Sequence, residues 1–474
     1  MTPDRQVYLL NPRELSPETI AVTFAKTSRS PESFREIAAG LTDEKSAQFH
    51  EKWVVGYGHA SVAEHAVLHI AIENVSRLAV ESIESNRLAS YTEKSSRYQK
   101  WNPDAFHIPS ELRGTALLDP YIDLCRTLLE TYREILPLVQ AAVERELPRT
   151  TDESQAAWER RIRTEYIDAS RFLLPAASLA NLGFTANART IEHAIRKLLS
   201  DPLCEARALG EEICRVAQAE VPTLVKYADY SGYLDETGRA LELASRKVAG
   251  PSRGADWCRL VNYDPEGEMR VLAAALYRYG EMDFVTAADV VARMTQPERI
   301  SLAGELFKRL GRFDIPLREL EYASFTIDLL VDQGGYFEIK RHRMMTQTPQ
   351  FLTAHLGYAI PRRIEAAGAR DAYCRAMDAA GDMYNRLAAE VDPHLAAYIV
   401  PNGFNRRVLL EMNLRSAFHF CRLRAAPNAH FSVRRAAQRI AEEIRRVSPV
   451  LATFLDVNPS ETWHSIEDNY FTQV

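Results

Sequence analysis

The chain has 474 residues, 46% apolar and 26% charged, a composition with enough side chain for sizeable cores and a length that suggests roughly two to four domains. Its 58 basic and 64 acidic residues leave a formal charge of −6, which argues against a bulk nucleic-acid binder and still allows a local basic pocket for a small anion. Six scattered cysteines without C-x-x-C spacing argue against a zinc site or a disulfide framework and fit a reducing cytoplasm.

The opening MTPDRQVYLLNPRELS does not read as a signal peptide, and no apolar run approaches a membrane span, so a soluble cytoplasmic protein is expected. QVYLL is a strand candidate, followed by a helix over SPETIAVTFAK with Ser16 as cap and Pro17 at the first position. From Asp119 to Leu147 and from Ser154 to Phe172 apolar residues recur every three or four positions, predicting long amphipathic helices. The Gly- and Pro-bearing stretch 245–257 is the best candidate for a boundary. LVNYD at 260–264 predicts a strand, and EMRVLAAALYRYG a helix after it.

The second half then repeats the order of the first. Each half runs strand, helix, then a helix into a basic cluster, SNRLASY at 85–91 and RHRMMTQ at 341–347. Each reaches a proline and, twelve residues later, Asn-x-Arg: Pro175 to Asn187, and Pro401 to Asn413. This order predicts a tandem duplication, with one repeat over 1–235, a linker over 236–256 and a second repeat over 257–474. The fold expected is α+β, two helix-rich domains each with a small sheet.

These residues resemble the flavin-dependent thymidylate synthases, whose signature is Arg-His-Arg, seven residues, then Ser-x-Arg-Tyr. The first half keeps the tail, Ser95, Ser96, Arg97 and Tyr98, with Ser85 and Asn86 where Arg and His belong. The second keeps the head, Arg341, His342 and Arg343, with Phe351 and Thr353 in the tail. GHASVAEH, from Gly58 to His65, resembles the family's Gly-His-x-x-x-x-Glu-His element, which in the second half is reduced to Glu321 and Tyr322. AKTSR resembles its early flavin-contacting segment, and SRFLLP the segment whose arginine holds the nucleotide phosphate.

The resemblance implies an FAD enzyme that methylates dUMP, with methylenetetrahydrofolate as one-carbon donor and NADPH as reductant. It implies that Arg341, Glu93, Ser95, Ser96, Arg97 and Arg171 bind substrate, and that Arg424, eleven residues after Asn413, activates the uracil. Flavin contacts are implied for Arg341, His342, Arg343, Asn187, Arg189, Asn413, His419, His59, Ser61 and Ser28. No metal, nucleic acid or membrane is implied. Family sites are shared between subunits, so unlike halves would complete one site while a reciprocal set, Ser85, Leu198, Phe351, Thr353 and Ala397, would be dead. A homodimer would then form a four-repeat pseudo-tetramer.

Plainer readings stand beside these. Glu93 could pair with Arg97 at i,i+4, and Asn187 and Asn413 could be local caps. His59 and His65 could be structural, Arg171 could flank a core segment, and Arg424 could be surface charge. Glu338 stands where the family often has Gln, and a carboxylate beside a phosphate is repulsive unless neutralised. FAD-dependent modification of another pyrimidine nucleotide, or a non-catalytic flavin- or nucleotide-binding relic, are therefore the alternatives.

Overall fold

The computed structural model describes residues 5–28, 30–52, 60–248, 256–311 and 313–474. The chain packs as two compact units that cut across its sequence repeats. One comprises Met1–Lys94, His107–Arg113 and Leu179–Gly250; the other comprises Ser95–Phe106, Gly114–Ser178 and Pro251–Val474.

The first unit is built on three antiparallel strands, β1 (Val67–Ser76), β2 (Ala89–Glu93) and β3 (Leu179–Asn187), in the order β1-β3-β2. Burial alternates along β1 and β3, as a sheet with one covered face requires. The pairing slips between Ile72 and Val75, where Asn74 takes a positive φ of 57° and its N–H reaches the Asn181 side chain. The Pro17–Lys26 helix starts where expected, with Ser16 accepting from the Thr19 N–H. It packs on the Asp43–His50 helix through the Thr19–Ser46 hydroxyl pair and through His50 Nε2 against the Glu18 carbonyl.

Two expectations fail in this unit. Residues 6–10 form no strand; Val7 and Leu9, 93% and 82% exposed, have the alternation of a strand without a neighbouring edge to pair with. The Gly- and Pro-bearing stretch expected as a boundary from residue 245 begins inside a helix, Gly232–Val248, because its Gly and Pro come only after the last helical turn.

In the second unit the strands are β4 (Cys258–Tyr263), β5 (Ser324–Asp332), β6 (Thr346–Pro349), β7 (Ile360–Pro361), β8 (Asn405–Asn413) and β9 (Phe471–Gln473). Four of them form an antiparallel sheet, β4-β5-β8-β6, and β7 pairs with β9. Phe325, Ile327, Leu329, Val408 and Leu410 fill the inner face against Val271, Leu272, Ile440 and Ile444 from the helices Gly267–Tyr279 and Phe431–Val447. The helices Leu118–Glu146 and Gln155–Ser170 also belong here, although they come from the first sequence repeat. Arg363 ties them to the second repeat by contacts of 3.0 Å to both Glu146 and Glu165.

The duplication is visible in local structure. Ser76 and Asp332 cap the helices after β1 and β5, while Asn187 and Asn413 cap those after β3 and β8. Each repeat thus turns twice from strand to helix on a polar side chain that satisfies otherwise orphan N–H groups.

Candidate functional site

Residues from both sequence repeats meet inside the second unit. The segment after β2 turns at Ser95, whose hydroxyl accepts the Arg97 N–H at 3.2 Å. That turn delivers Arg97 to Asp168, which it grips with Nε at 2.8 Å and Nη2 at 2.6 Å, while Nη1 donates to the Asn428 carbonyl. One helical turn after Asp168 comes Arg171, whose side chain is 3% exposed. Its Nη1 donates to Ser96 Oγ at 3.1 Å, and its Nη2 to the Gly334 carbonyl and to Glu338 Oε1, each at 3.3 Å.

Glu338 carries the chain of contacts onward. Its Oε2 accepts from Arg424 Nη1 at 3.2 Å, and Arg424 Nε donates to His342 Nε2 at 2.8 Å. His342 packs edge-on against Phe420 and His419 at 5.0 and 5.5 Å. Ser96, Arg171, Glu338, Arg424 and His342 therefore form one continuous polar run, two members from the first repeat and three from the second.

Local sequence explains the placement of Glu338. Asp332 caps the Gln333–Ile339 helix, accepting the Gly335 N–H at 2.7 Å. A Cβ at Gly335 would stand 2.9 Å from Val331 Cγ2, so only glycine lets this helix leave the strand so tightly. The helix ends at Ile339, and the basic cluster lies in the turn beyond it, closed by His342 N–H to the Ile339 carbonyl and Met345 N–H to the His342 carbonyl. The three signature residues therefore lie on a turn and not on the helix. Arg341 is exposed, His342 buried and Arg343 intermediate because the turn, not a helix, splays them. Lys340 is buried, its ammonium over the Phe337 ring.

Three arginines (Arg97, Arg171 and Arg424) meet two carboxylates (Asp168 and Glu338), an excess of one positive charge before the nearby Arg341 is counted. Burial pulls Arg171 and Arg424 down from the ordinary arginine range, and Glu338 opposes this in both, without removing either proton. Arg341 and Arg97 both weigh on Arg424, which places cations of both repeats within electrostatic reach of it. Burial pushes the Asp168 carboxyl up, against the pull of Arg97 and Arg171. His342 is driven down to about 3 by burial and then by Arg424 and His419. It is neutral, and since Nε2 accepts from Arg424 its proton sits on Nδ1. His430 is likewise neutral: Nδ1 accepts the Ser432 N–H, so Nε2–H points at the Asp168 carbonyl.

The remaining expected residues fall as follows. Glu93 belongs to the first unit, where it forms a buried ion pair with Arg77 at 3.0 Å, not with Arg97. Also in that unit, Arg189 pairs with the exposed Glu64, Asn187 Oδ1 caps its helix, Ser61 is exposed on the Ala60–His65 turn, and the Ser28 hydroxyl donates to the Ala25 carbonyl. His59 lies outside the described residues. Asn413 caps the Leu414–Arg424 helix through Ser416 N–H, in the second unit. Of the residues expected to spoil a reciprocal site, Leu198 is core and Ser85 accepts from Lys197 in the first unit; Phe351 stacks edge-on with His394 and Ala397 is buried in the second.

Asp168, Asn428 and His430 were not anticipated. The Asp168–Arg171 spacing of three residues on one helix was a usable hint; the other two carry no local signal.

A duplicated α+β chain with an arginine-rich site drawn from both copies defines the class. The model of the family described as thymidylate synthase complementing protein (Thy1) matches residues 12–223 and again 259–450, so the chain belongs to that family, as a tandem duplication. It is 33% identical over 440 residues to the UPF0159 protein of Chlamydia muridarum, covering 88% of this chain and 82% of that one. The UPF0159 protein of Thermoplasma acidophilum is 27% identical over 446 residues, 86% of this chain and 88% of its own length. The flavin-dependent thymidylate synthase of Clostridium tetani is 28% identical over 216 residues, 45% of this chain and 82% of that protein. Among the described residues no helix is long and apolar enough to cross a membrane, and no cluster of His, Cys, Asp or Glu could hold a metal.

Proposed function

We propose that this protein is an FAD-dependent enzyme that methylates a uracil nucleotide, dUMP, at one composite site per chain. Methylenetetrahydrofolate would supply the carbon and NADPH the electrons. The observation that carries this reading is the run Ser96–Arg171–Glu338–Arg424–His342, in which the two halves of a divided signature meet in one unit.

Arg171, held from Ser96 and the Gly334 carbonyl, would receive the phosphate. Ser96 and Ser95 serve as hydroxyl partners and not as nucleophiles, since neither has a hydrogen-bonded His–acid pair. Arg424 would face the N3/O4 side of the uracil and stabilise the negative charge that makes C5 nucleophilic, an effect worth roughly 3–4 kcal/mol for one well-placed donor. Neutral His342 orients Arg424 by accepting from Nε, so that the Nη atoms, one of them on Glu338, face the place of the ligand.

The residues present suit a flavin dinucleotide. Arg341 and Arg343 flank buried His342, and two permanently charged, fork-shaped guanidiniums on one turn match a diphosphate. When bound, FAD would supply hydride transfer. A homodimer presenting four repeats is the assembly this reading favours.

Flavin absorbance in purified protein and dUMP-dependent NADPH oxidation with folate present test the reading. Silence with dUMP but turnover with another pyrimidine nucleotide would favour the alternative substrate, to which Glu338 between the two arginines lends support. Absence of flavin would favour a non-catalytic relic.

A further inference from the structure

Glu338 is gripped from both sides, yet loosely. Its contacts to Arg171 and Arg424 are 3.3 and 3.2 Å, whereas Asp168 holds Arg97 at 2.8 and 2.6 Å. Charge-assisted hydrogen bonds of this kind normally close to about 2.7–2.9 Å. Neither arginine depends on Glu338 for its position. Arg171 is also fixed by Ser96 and by the Gly334 carbonyl, and Arg424 by His342. The carboxylate also occupies the last turn of the Gln333–Ile339 helix, the end at which the helix dipole disfavours negative charge.

We propose that Glu338 is a specificity-determining stand-in for a ligand phosphate: it bridges Arg171 and Arg424 until a dianionic phosphate monoester displaces it from Arg171, which frees Arg424 for the base. The inference rests on the nucleotide reading above and adds the anion class to it. A singly charged ester or carboxylate gains no charge advantage over Glu338 and leaves it in place. A dianion offers one more negative charge and as many oxygens, so it wins the exchange, at an affinity lowered by the repulsion of the displaced carboxylate.

The test is ligand binding to full-length, flavin-loaded protein, wild type against Glu338→Gln, by calorimetry with dUMP, inorganic phosphate and deoxyuridine. The variant is expected to bind dUMP and phosphate about tenfold more tightly, with deoxyuridine unchanged. Glu338→Ala should move in the same direction, and serves if the glutamine variant fails to fold. Unchanged or weaker dUMP binding by the variants, with the wild type binding dUMP, would overturn the stand-in and leave the nucleotide reading intact. Tighter phosphate binding by the variants, with no dUMP bound by any protein, would support the stand-in and sink the nucleotide reading. No binding of either anion by any of the three would overturn both.

Discussion

Pro175 of the first repeat pairs with Pro401 of the second in an antiparallel bridge. Around it, Ala176 N–H bonds the Val400 carbonyl and Asn402 N–H the Leu174 carbonyl, both at 2.9 Å. Ala177 N–H to Tyr398 and Gly403 N–H to Phe172 form a second such pair. Exchanging the repeats, with Pro175 onto Pro401, turns each bond into its partner, so a local two-fold axis passes between the prolines. The side chains break that symmetry. The Asn402 amide braces the Arg171 carbonyl, but the positions equivalent to these two are Ala176 and Ala397. One arginine cradle is thus built and its image is absent.

Replacing Arg171 by Ala should remove dUMP binding and also stability. The loss leaves Glu338 with one cationic partner and strands Ser96 and the Gly334 carbonyl, a pattern that costs about 3–5 kcal/mol when a buried ion pair is broken. Arg424→Ala should lose binding by a similar factor, about a hundredfold or more, with a smaller loss of stability because its side chain is more exposed than that of Arg171. Calorimetry with dUMP and urea unfolding separate the two effects.

Asp168→Asn tests whether Arg97 acts through its fork. The amide keeps the shape but offers one acceptor and no charge, so roughly 2–4 kcal/mol of stability should go. Binding of dUMP should weaken as the Ser95–Arg97 turn loosens. Unfolding free energy unchanged within error would show that the pair contributes nothing to the fold.

Stability should fall on mild acidification. His342 titrates near 6.5 when unfolded and at about 3 when folded, so between these values the unfolded chain binds the extra proton. Its contribution is fully present above about pH 6.5 and is lost as pH falls, by roughly 2 kcal/mol at pH 5. His430, also pushed down by burial, acts in the same direction. Urea midpoints from pH 7 to 5 should shift accordingly, and His342→Asn should flatten the slope.

If the composite site is the one that holds flavin, purified protein should carry about one flavin per chain, because the reciprocal positions Ser85, Leu198 and Ala397 carry no arginine. Restoring Arg and His with Ser85→Arg and Asn86→His should not add a second dUMP site, as Leu198 and Ala397 remain at the positions equivalent to Arg424 and Arg171. A flavin-to-chain ratio near two before those changes, by absorbance against amino-acid analysis, or two dUMP bound per chain after them, would contradict this.

The Arg341–Arg343 run is legible as a crowd of cations, Arg171 and Arg424 only through the likeness of their segments to those of the family, and Asn187 and Asn413 through their common distance from a proline. The long amphipathic helices followed from their periodicity. Contacts distant in sequence were not legible. Glu93 looks like a partner of Arg97 four residues on, yet Arg77, on the helix between β1 and β2, takes it in a dry pair. Arg97 instead closes on Asp168, 71 residues away. QVYLL has the alternation of a strand, but alternation cannot supply an edge to pair with. Glu338 could be seen as a carboxylate out of place; only folding shows that two arginines neutralise it.

The central claim is that each chain builds its own site from both repeats. Co-expressing Arg97→Ala chains with Arg424→Ala chains and titrating the mixture with dUMP tests it most directly. If the site is intrachain, every chain in the mixture is defective and binding stays absent. Recovery of a substantial fraction of wild-type binding would mean that the halves come from different chains, and would contradict the account.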